Sequence, residues 1–303
     1  IIVLVVGIWL FQNNYLKLSV FQKKIDQSAS TNLMDKETVY LEKIDNFIIK
    51  EYSEKQVLLH TIKADTYYSY KNSPIQLLKV EVKTFNESGQ EGIILTSNRA
   101  EMLKSGEIFF NGEVNIKTKS GISHELDTES LIVLTNTGKI KSNKKITYLG
   151  ENSKINAQEM EMDIDSNTMF LKGAVQILQA SDVKVDTTNL FIRHSNGQKK
   201  YNSKSKTSYQ STDNRVNSEK GFDMDANQNL MNLLGQVEIL NVSGSKINTS
   251  NLIVDRSNGD EFFKSNEPSH FQSSNIDIKS KQMHYDASTK KLELKGKVFA
   301  VYE

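Results

Sequence analysis

Histidine, aspartate and lysine are the residues of this 303-residue chain whose types and spacing could do chemistry. The five histidines are His60, His124, His194, His270 and His284, and no two stand at a metal-ligand spacing. They are expected on exposed strands or loops. Asp163, Asp225 and Asp286 recur with an almost constant spacing, and Asp165 lies just beyond the first. Each precedes turn-forming residues, Ser166-Asn167, Asn227 or Ser288, as a turn-initiating carboxylate does. Repeated aspartates also bind calcium in some β-rolls, but within Gly-rich nonapeptides that are missing here. The sequence holds no P-loop, GxSxG, GxGxxG or HExxH, and no paired carboxylates suited to acid–base work on a glycoside. The expectation is no catalytic residue, no metal and no cofactor, hence no enzyme. Two lysine clusters, Lys139, Lys141, Lys144, Lys145 and Lys199, Lys200, Lys204, Lys206, fall at equivalent positions. They suit either lipid phosphates or, as the preferred reading, a solvated edge that resists aggregation.

Composition narrows the field. With 38 basic and 37 acidic residues the net charge is +1, which gives no reason to expect a nucleic-acid partner. Cysteine is absent, so disulfides, thiol catalysis, zinc thiolates and a lipidated cysteine are excluded together. Hydrophobic content of 37% and charged content of 25% fit a folded chain. Ile1–Phe11 reads IIVLVVGIWLF, without a charge. A spanning helix needs roughly 20 apolar residues, so residues 1–15 are expected to be the later part of a transmembrane anchor. Gln12-Asn13-Asn14 carries no small-x-small cleavage pattern, and Trp9 and Tyr15 suit an interface, which favours a retained anchor over a cleaved signal. Residues 16–38 read as a stalk.

Beyond the stalk, turn signals such as Ser105-Gly106, Asn196-Gly197, Ser243-Gly244 and Asn258-Gly259 recur about every 15 residues. Between them lie alternating strands of about 10 to 12 residues, interrupted by only two prolines, Pro74 and Pro268. This pattern predicts an all-β chain. An internal repeat organises it. Ile108-x-Phe110-x-Gly112-x-Val114-x-Ile116 returns as Met169-x-Leu171-x-Gly173-x-Val175-x-Ile177. It returns again as Met231-x-Leu233-x-Gly235-x-Val237-x-Ile239 and as Leu292-x-Leu294-x-Gly296-x-Val298-x-Ala300. The central glycines are evenly spaced to within one position, and each set shares one strand face. Leu126-Asp127-Thr128-x-x-Leu131, Val185-Asp186-Thr187-x-x-Leu190 and Ile247-Asn248-Thr249-x-x-Leu252 keep nearly the same period. Their apolar parity switches midway, which implies a bulge or corner. Gly138, Gly197 and Gly259, then Tyr148, Tyr209 and Phe271, follow in register. Such units must share their apolar faces, so an elongated open antiparallel roll of about 61-residue repeats is expected. The central glycines relieve crowding in a bent strand or leave room for a ligand along an apolar groove, two compatible roles.

Three stretches resemble the LptC-type lipopolysaccharide export proteins and their OstA-like β-jellyroll relatives. They are Ile44-x-Asn46-Phe47-x-Ile49 with Ile62-Lys63-Ala64-Asp65-Thr66-Tyr67-Tyr68, Leu95-Thr96-Ser97-x-x-Ala100-x-Met102, and Leu126-x-Thr128-x-x-Leu131. The resemblance covers residues 1–178 and places an LptC-like jellyroll at 39–178, with additional OstA-like repeats at 179–303. It implies a single-pass inner-membrane protein with its bulk in the periplasm. Such a protein takes the acyl chains of lipopolysaccharide from an ABC transporter into its groove and passes them to a periplasmic bridge protein. The groove residues would be the four repeat sets above through Val298. The final strand, Leu292–Tyr302, is expected to offer its edge to that bridge protein, or else to pair within its own roll. The competing reading is a structural β-solenoid, a surface stalk or adhesin without a lipid.

Overall fold

The computed structural model describes residues 40–302, apart from 54, 87, 120–123, 151, 164, 180–181 and 196–197. The expected anchor and stalk lie outside the described residues, as does the turn at Asn196-Gly197. No helix among the described residues is long and apolar enough to cross a membrane. Apart from one 3₁₀ turn at Thr135–Thr137, the regular structure among the described residues is antiparallel strand, as the alternation predicted.

The chain forms two compact units, one reaching to Glu151 and including Glu161–Ser166, the other holding Asn152–Met160 and Asn167–Glu303. Six long strands open the chain: β1 (Glu42–Tyr52), β2 (Leu58–Ser69), β3 (Ile75–Phe85), β4 (Glu91–Met102), β5 (Glu107–Thr118) and β6 (Glu125–Leu134). Short strands β7 (Lys139–Ser142), β8 (Ile146–Leu149), β9 (Ser153–Ala157) and β10 (Glu159–Asp163) follow. Long β11 (Thr168–Gln179) and β12 (Lys184–Ser195) lead into short β13 (Gln198–Ser203), β14 (Thr207–Gln210), β15 (Asn214–Ser218) and β16 (Phe222–Asp225). The alternation repeats with β17 (Leu230–Asn241), β18 (Lys246–Asp255), β19 (Phe262–Ser265), β20 (Ser269–Gln272), β21 (Ile276–Ser280) and β22 (Gln282–Asp286). Last come β23 (Lys291–Lys295) and β24 (Phe299–Tyr302).

The short strands differ from the expected uniform run of long ones, and the reason is a corner. The repeating segments bend near their middle. In β5, β11 and β17 the bend is a bulge on the central glycine: register shifts between Asn111 and Val114, Leu171 and Ala174, and Leu233 and Gln236. Gly112, Gly173, Gly235 and Gly296 have φ of 76°, 76°, 77° and 72°, a left-handed backbone that favours glycine. Asn46, Lys79, Asn189 and Asn251 take left-handed φ at the same corner in their own strands. Asn189 and Asn251 complete the turn by accepting the N–H of Gly173 at 2.9 Å and of Gly235 at 3.1 Å. Elsewhere the ladder breaks outright, which splits one segment into two short strands.

In the second unit each segment thus contributes to two layers. One layer carries β13, β16, β19, β22 and β23 with the halves of β11, β12, β17 and β18 that pair with them or with each other. The other carries β9, β14, β15, β20, β21 and β24 with the remaining halves. The layers meet at the corner, and the hairpin turns of both lie on the opposite side. Asp163, Asp225 and Asp286 do initiate such turns: their Oδ1 atoms accept the N–H of Ser166, Asn227 and Ser288 at 2.9, 3.1 and 3.0 Å.

A break in a ladder leaves buried carbonyls without partners, which is costly unless something replaces them. Recurrent buried hydroxyls do so. Thr128 Oγ1 lies 2.9 Å from Ser142 Oγ and donates to the Lys145 carbonyl at 3.0 Å. Thr187 Oγ1 lies 2.8 Å from Ser203 Oγ, which donates to the Thr188 carbonyl at 3.2 Å. Thr249 Oγ1 lies 2.9 Å from Ser265 Oγ, which donates to the Ser250 carbonyl at 2.8 Å.

The corner can be probed at its glycines and at its hydroxyls. Gly173→Ala forces an alanine into left-handed φ and its Cβ to within 2.0 Å of the present Gln158 Oε1 position. Gly244, also left-handed, has nothing within 4 Å of such a Cβ. Chemical denaturation should show Gly244→Ala costing about 1–2 kcal/mol and Gly173→Ala more, with Gln158→Ala restoring part of the difference. The hydroxyl pair is checked by a double-mutant cycle: Thr187→Val and Ser203→Ala should each cost about 1–3 kcal/mol. Their combination should cost less than the sum by at least about 0.5 kcal/mol.

Candidate functional site

The strand faces that the alternation assigned to the interior are covered. In the first unit Ile108, Phe110, Val114 and Ile116 are buried. In the second, Met169, Leu171, Val175, Ile177, Met231, Leu233, Val237 and Ile239 are buried, with Leu171 and Leu233 at 0% exposure. The fourth copy is thinner. Leu292 and Leu294 are half-buried and Val298 is 52% exposed. The expected single strand Leu292–Tyr302 is two, β23 and β24, with Gly296 and Lys297 at left-handed φ of 72° and 48° between them. Val298 lies between β23 and β24, outside both.

The four central glycines do not leave a row of empty space. A Cβ at Gly173 or Gly235 would overlap Gln158 or Lys220, at 2.0 and 2.7 Å, and one at Gly112 or Gly296 would press on Asn98 or Lys281, at 3.0 and 3.2 Å. The left-handed φ of these glycines suits the bend.

Further interior residues recur that the glycine-centred motifs do not mark. Ile155 and Val216, Met160, Phe222 and Met283, and Met162, Met224 and Tyr285 are buried, and each set keeps the period of the glycines. That period is the signal by which the sequence could reveal them. It is faint there because the strands are short and carry no glycine.

Apart from His60 and Asn214, the buried polar residues among those described are serines and threonines. His60, expected at the surface, is 2% exposed, and its Nε2 lies 2.9 Å from Glu51 Oε2. Burial pushes the His60 imidazole down and the Glu51 carboxyl up, so both are driven towards their neutral forms. Tyr148 Oη lies 2.8 Å from His124 Nδ1. No group of three or more His, Cys, Asp or Glu among the described residues is placed to hold a metal. The second lysine cluster does not guard an edge, since Lys199 and Lys200 sit on β13, which pairs with β12 on one side and β16 on the other. A cleft of about 790 Å³ lies at the corner of the second unit, lined by Lys204, Glu219, Lys220, Gly235 and Asn251 among others. It exists because three residues, Glu219-Lys220-Gly221, join β15 to β16, where Gln158 and Lys281 alone join the equivalent strands. Its charged lining does not suit an acyl chain.

Among the described residues the arrangement offers apolar surface between two layers and no converging nucleophile, acid or base. No curated protein matches the chain. The profile of the family described as Lipopolysaccharide-assembly, LptC-related matches residues 1–180 and, separately, residues 181–303. With all of its length accounted for by two such matches, the chain belongs to the LptC-related lipopolysaccharide-assembly family.

Proposed function

We propose that this protein is a non-enzymatic component of the lipopolysaccharide transport bridge. It accepts lipid acyl chains from an inner-membrane ABC transporter between the layers of its rolls and passes them towards the outer membrane. It is held by a single N-terminal span, with its bulk in the periplasm, and the transporter supplies the energy. Family membership gives the role in lipopolysaccharide transport. The observation that carries the finer reading is the inner face of each roll, apolar along its strands from Ile108 to Ile116 and from Met169 to Ile239 in the repeat sets. About 25 cal/mol per Å² of apolar surface removed from water is the driving force for a lipid tail there. Because these residues are packed now, loading requires the layers to part, and each tail then replaces side-chain contacts by lipid contacts.

The partner on the far side is proposed to be a periplasmic bridge protein that adds a strand at β24. Among the described residues β24 pairs only with β21, and Phe299 and Tyr302 are 66% and 72% exposed. An edge with free N–H and C=O groups and apolar side chains is a template for β-augmentation.

Photo-methionine, which closely matches methionine in shape, tests the interior. Met160, Met162, Met169, Met224, Met231 and Met283 are buried. Irradiation with lipopolysaccharide should give lipid adducts on peptides holding these residues. A protein that binds lipopolysaccharide yet carries adducts only elsewhere would favour the structural solenoid. For the edge, deleting residues 298–303 should weaken capture of the purified bridge protein at least tenfold while leaving the thermal melt within a few degrees. Unchanged capture would put the interface elsewhere.

A further inference from the structure

Opposite the corner, the two layers of the second unit are tied together by polar side chains. Glu261 stands in the β18–β19 hairpin of one layer. Its carboxylate accepts a hydrogen bond from Tyr209 Oη, a second from Ser211 Oγ at 2.8 Å and a third from Asn214 Nδ2 at 3.5 Å. All three donors belong to the β14–β15 hairpin region of the other layer. Arg256 Nε lies 3.9 Å from Glu261 Oε1. Beside this group, Asn241 Nδ2 donates to Tyr285 Oη at 3.2 Å, again from one layer to the other. Asp213 and Lys290 approach to 3.6 Å from the neighbouring turns. The Tyr209 ring meets Phe263 edge-on at 6.3 Å between centroids, and Tyr285 stacks on Phe263 at 5.9 Å.

The side chains of Glu261 and Arg256 are only 12% and 19% exposed, so these hydrogen bonds are shielded from water and from salt. Tyr209 is 2% exposed, and burial raises its phenol above the ordinary value, which keeps it a donor at physiological pH. The corner is covalent and bulged and cannot open. The side that can part is the one these residues span.

We infer that Glu261, with Tyr209, Ser211 and Asn214, forms a releasable latch that closes the open side of the second roll and controls lateral entry of a lipid acyl chain. The inference rests on the lipid-carrying reading above. Each of its bonds has a hydrated alternative once the layers part, so the latch opens without stranding a buried charge. Hydrophobic contact between the layers alone would not choose one side to open. A polar seam beside an apolar interior does, because water can replace the seam but not the core.

The test uses the full-length chain in detergent, with Glu261→Ala, the conservative Glu261→Gln and Tyr209→Phe, which keeps the ring. Hydrogen exchange should quicken about tenfold or more in residues 207–218 for Glu261→Ala. Residues 168–179 at the far strands should hold their wild-type rates, and Glu261→Gln should fall between. Lipopolysaccharide capture by photo-methionine at Met224 should accelerate in the same order. Uniform quickening across the unit, or unchanged exchange at residues 207–218 in both Glu261→Ala and Tyr209→Phe, would overturn the latch. Local quickening with no lipid adduct in any variant would uphold the latch and overturn the lipid-carrying reading.

Discussion

The fold depends on turning its strands in the middle without losing the hydrogen bonds of the backbone. A flat ladder would satisfy each N–H and C=O but would leave one apolar face in water. Bending the segment over itself hides that face and breaks the ladder at the bend. The chain resolves this twice over. Glycine or asparagine in left-handed φ makes the bend, and Asn189 and Asn251 accept the amide hydrogens that the bulge frees. The Thr–Ser pairs supply donors for the carbonyls, so the corner is bent and its hydrogen bonds are met at once. The two layers and the apolar space between them follow from it.

Much of this is written in the sequence as period and parity. The parity switch in Leu126-x-Thr128-x-x-Leu131 requires a bulge, and the corner falls there. The four glycines mark the same corner from the partner strand. Their role is harder to read, because a glycine on an inward-facing parity fits both a bend and a vacancy. Only the positions of Asn98, Gln158, Lys220 and Lys281 separate the two. Thr128, Thr187 and Thr249 stand out as a motif, but their serine partners, Ser142, Ser203 and Ser265, lie one or more turns further along the chain. Serine in a polar strand carries no visible sign of burial. His60 misleads for a related reason: a lone histidine tells nothing about the strand that will cover it. Val298 misleads because its motif matches the unbroken strands of the earlier copies, whereas here one strand ends at Lys295 and the next begins at Phe299.

Interior and seam divide their work by polarity. Aliphatic and aromatic residues fill the space between the layers, where one side chain is readily exchanged for another of like volume or for a hydrocarbon tail. The directional bonds are confined to the two margins. At the corner they run between paired hydroxyls and on to backbone carbonyls, and fix geometry. On the opposite side they run from side chain to side chain, through Glu261 and Tyr285, and can be remade in water. Directional bonding at the margins leaves the lining free of the task of fixing geometry.

Because each repeat carries its own bend, its own hydroxyl pair and its own interior residues, the sequence can lengthen only in certain steps. An inserted stretch that is not a whole repeat would put a hydroxyl opposite an aliphatic neighbour and a glycine where no bend is wanted. A complete repeat restores every match. The three-residue join at Glu219-Lys220-Gly221 marks the tolerance: one corner absorbs extra residues by looping outward, and the strands on either side keep their register. Recombination between copies within such a gene would therefore yield folded products of stepped length, and drift within a copy would be confined to the corner joins and the hairpin turns.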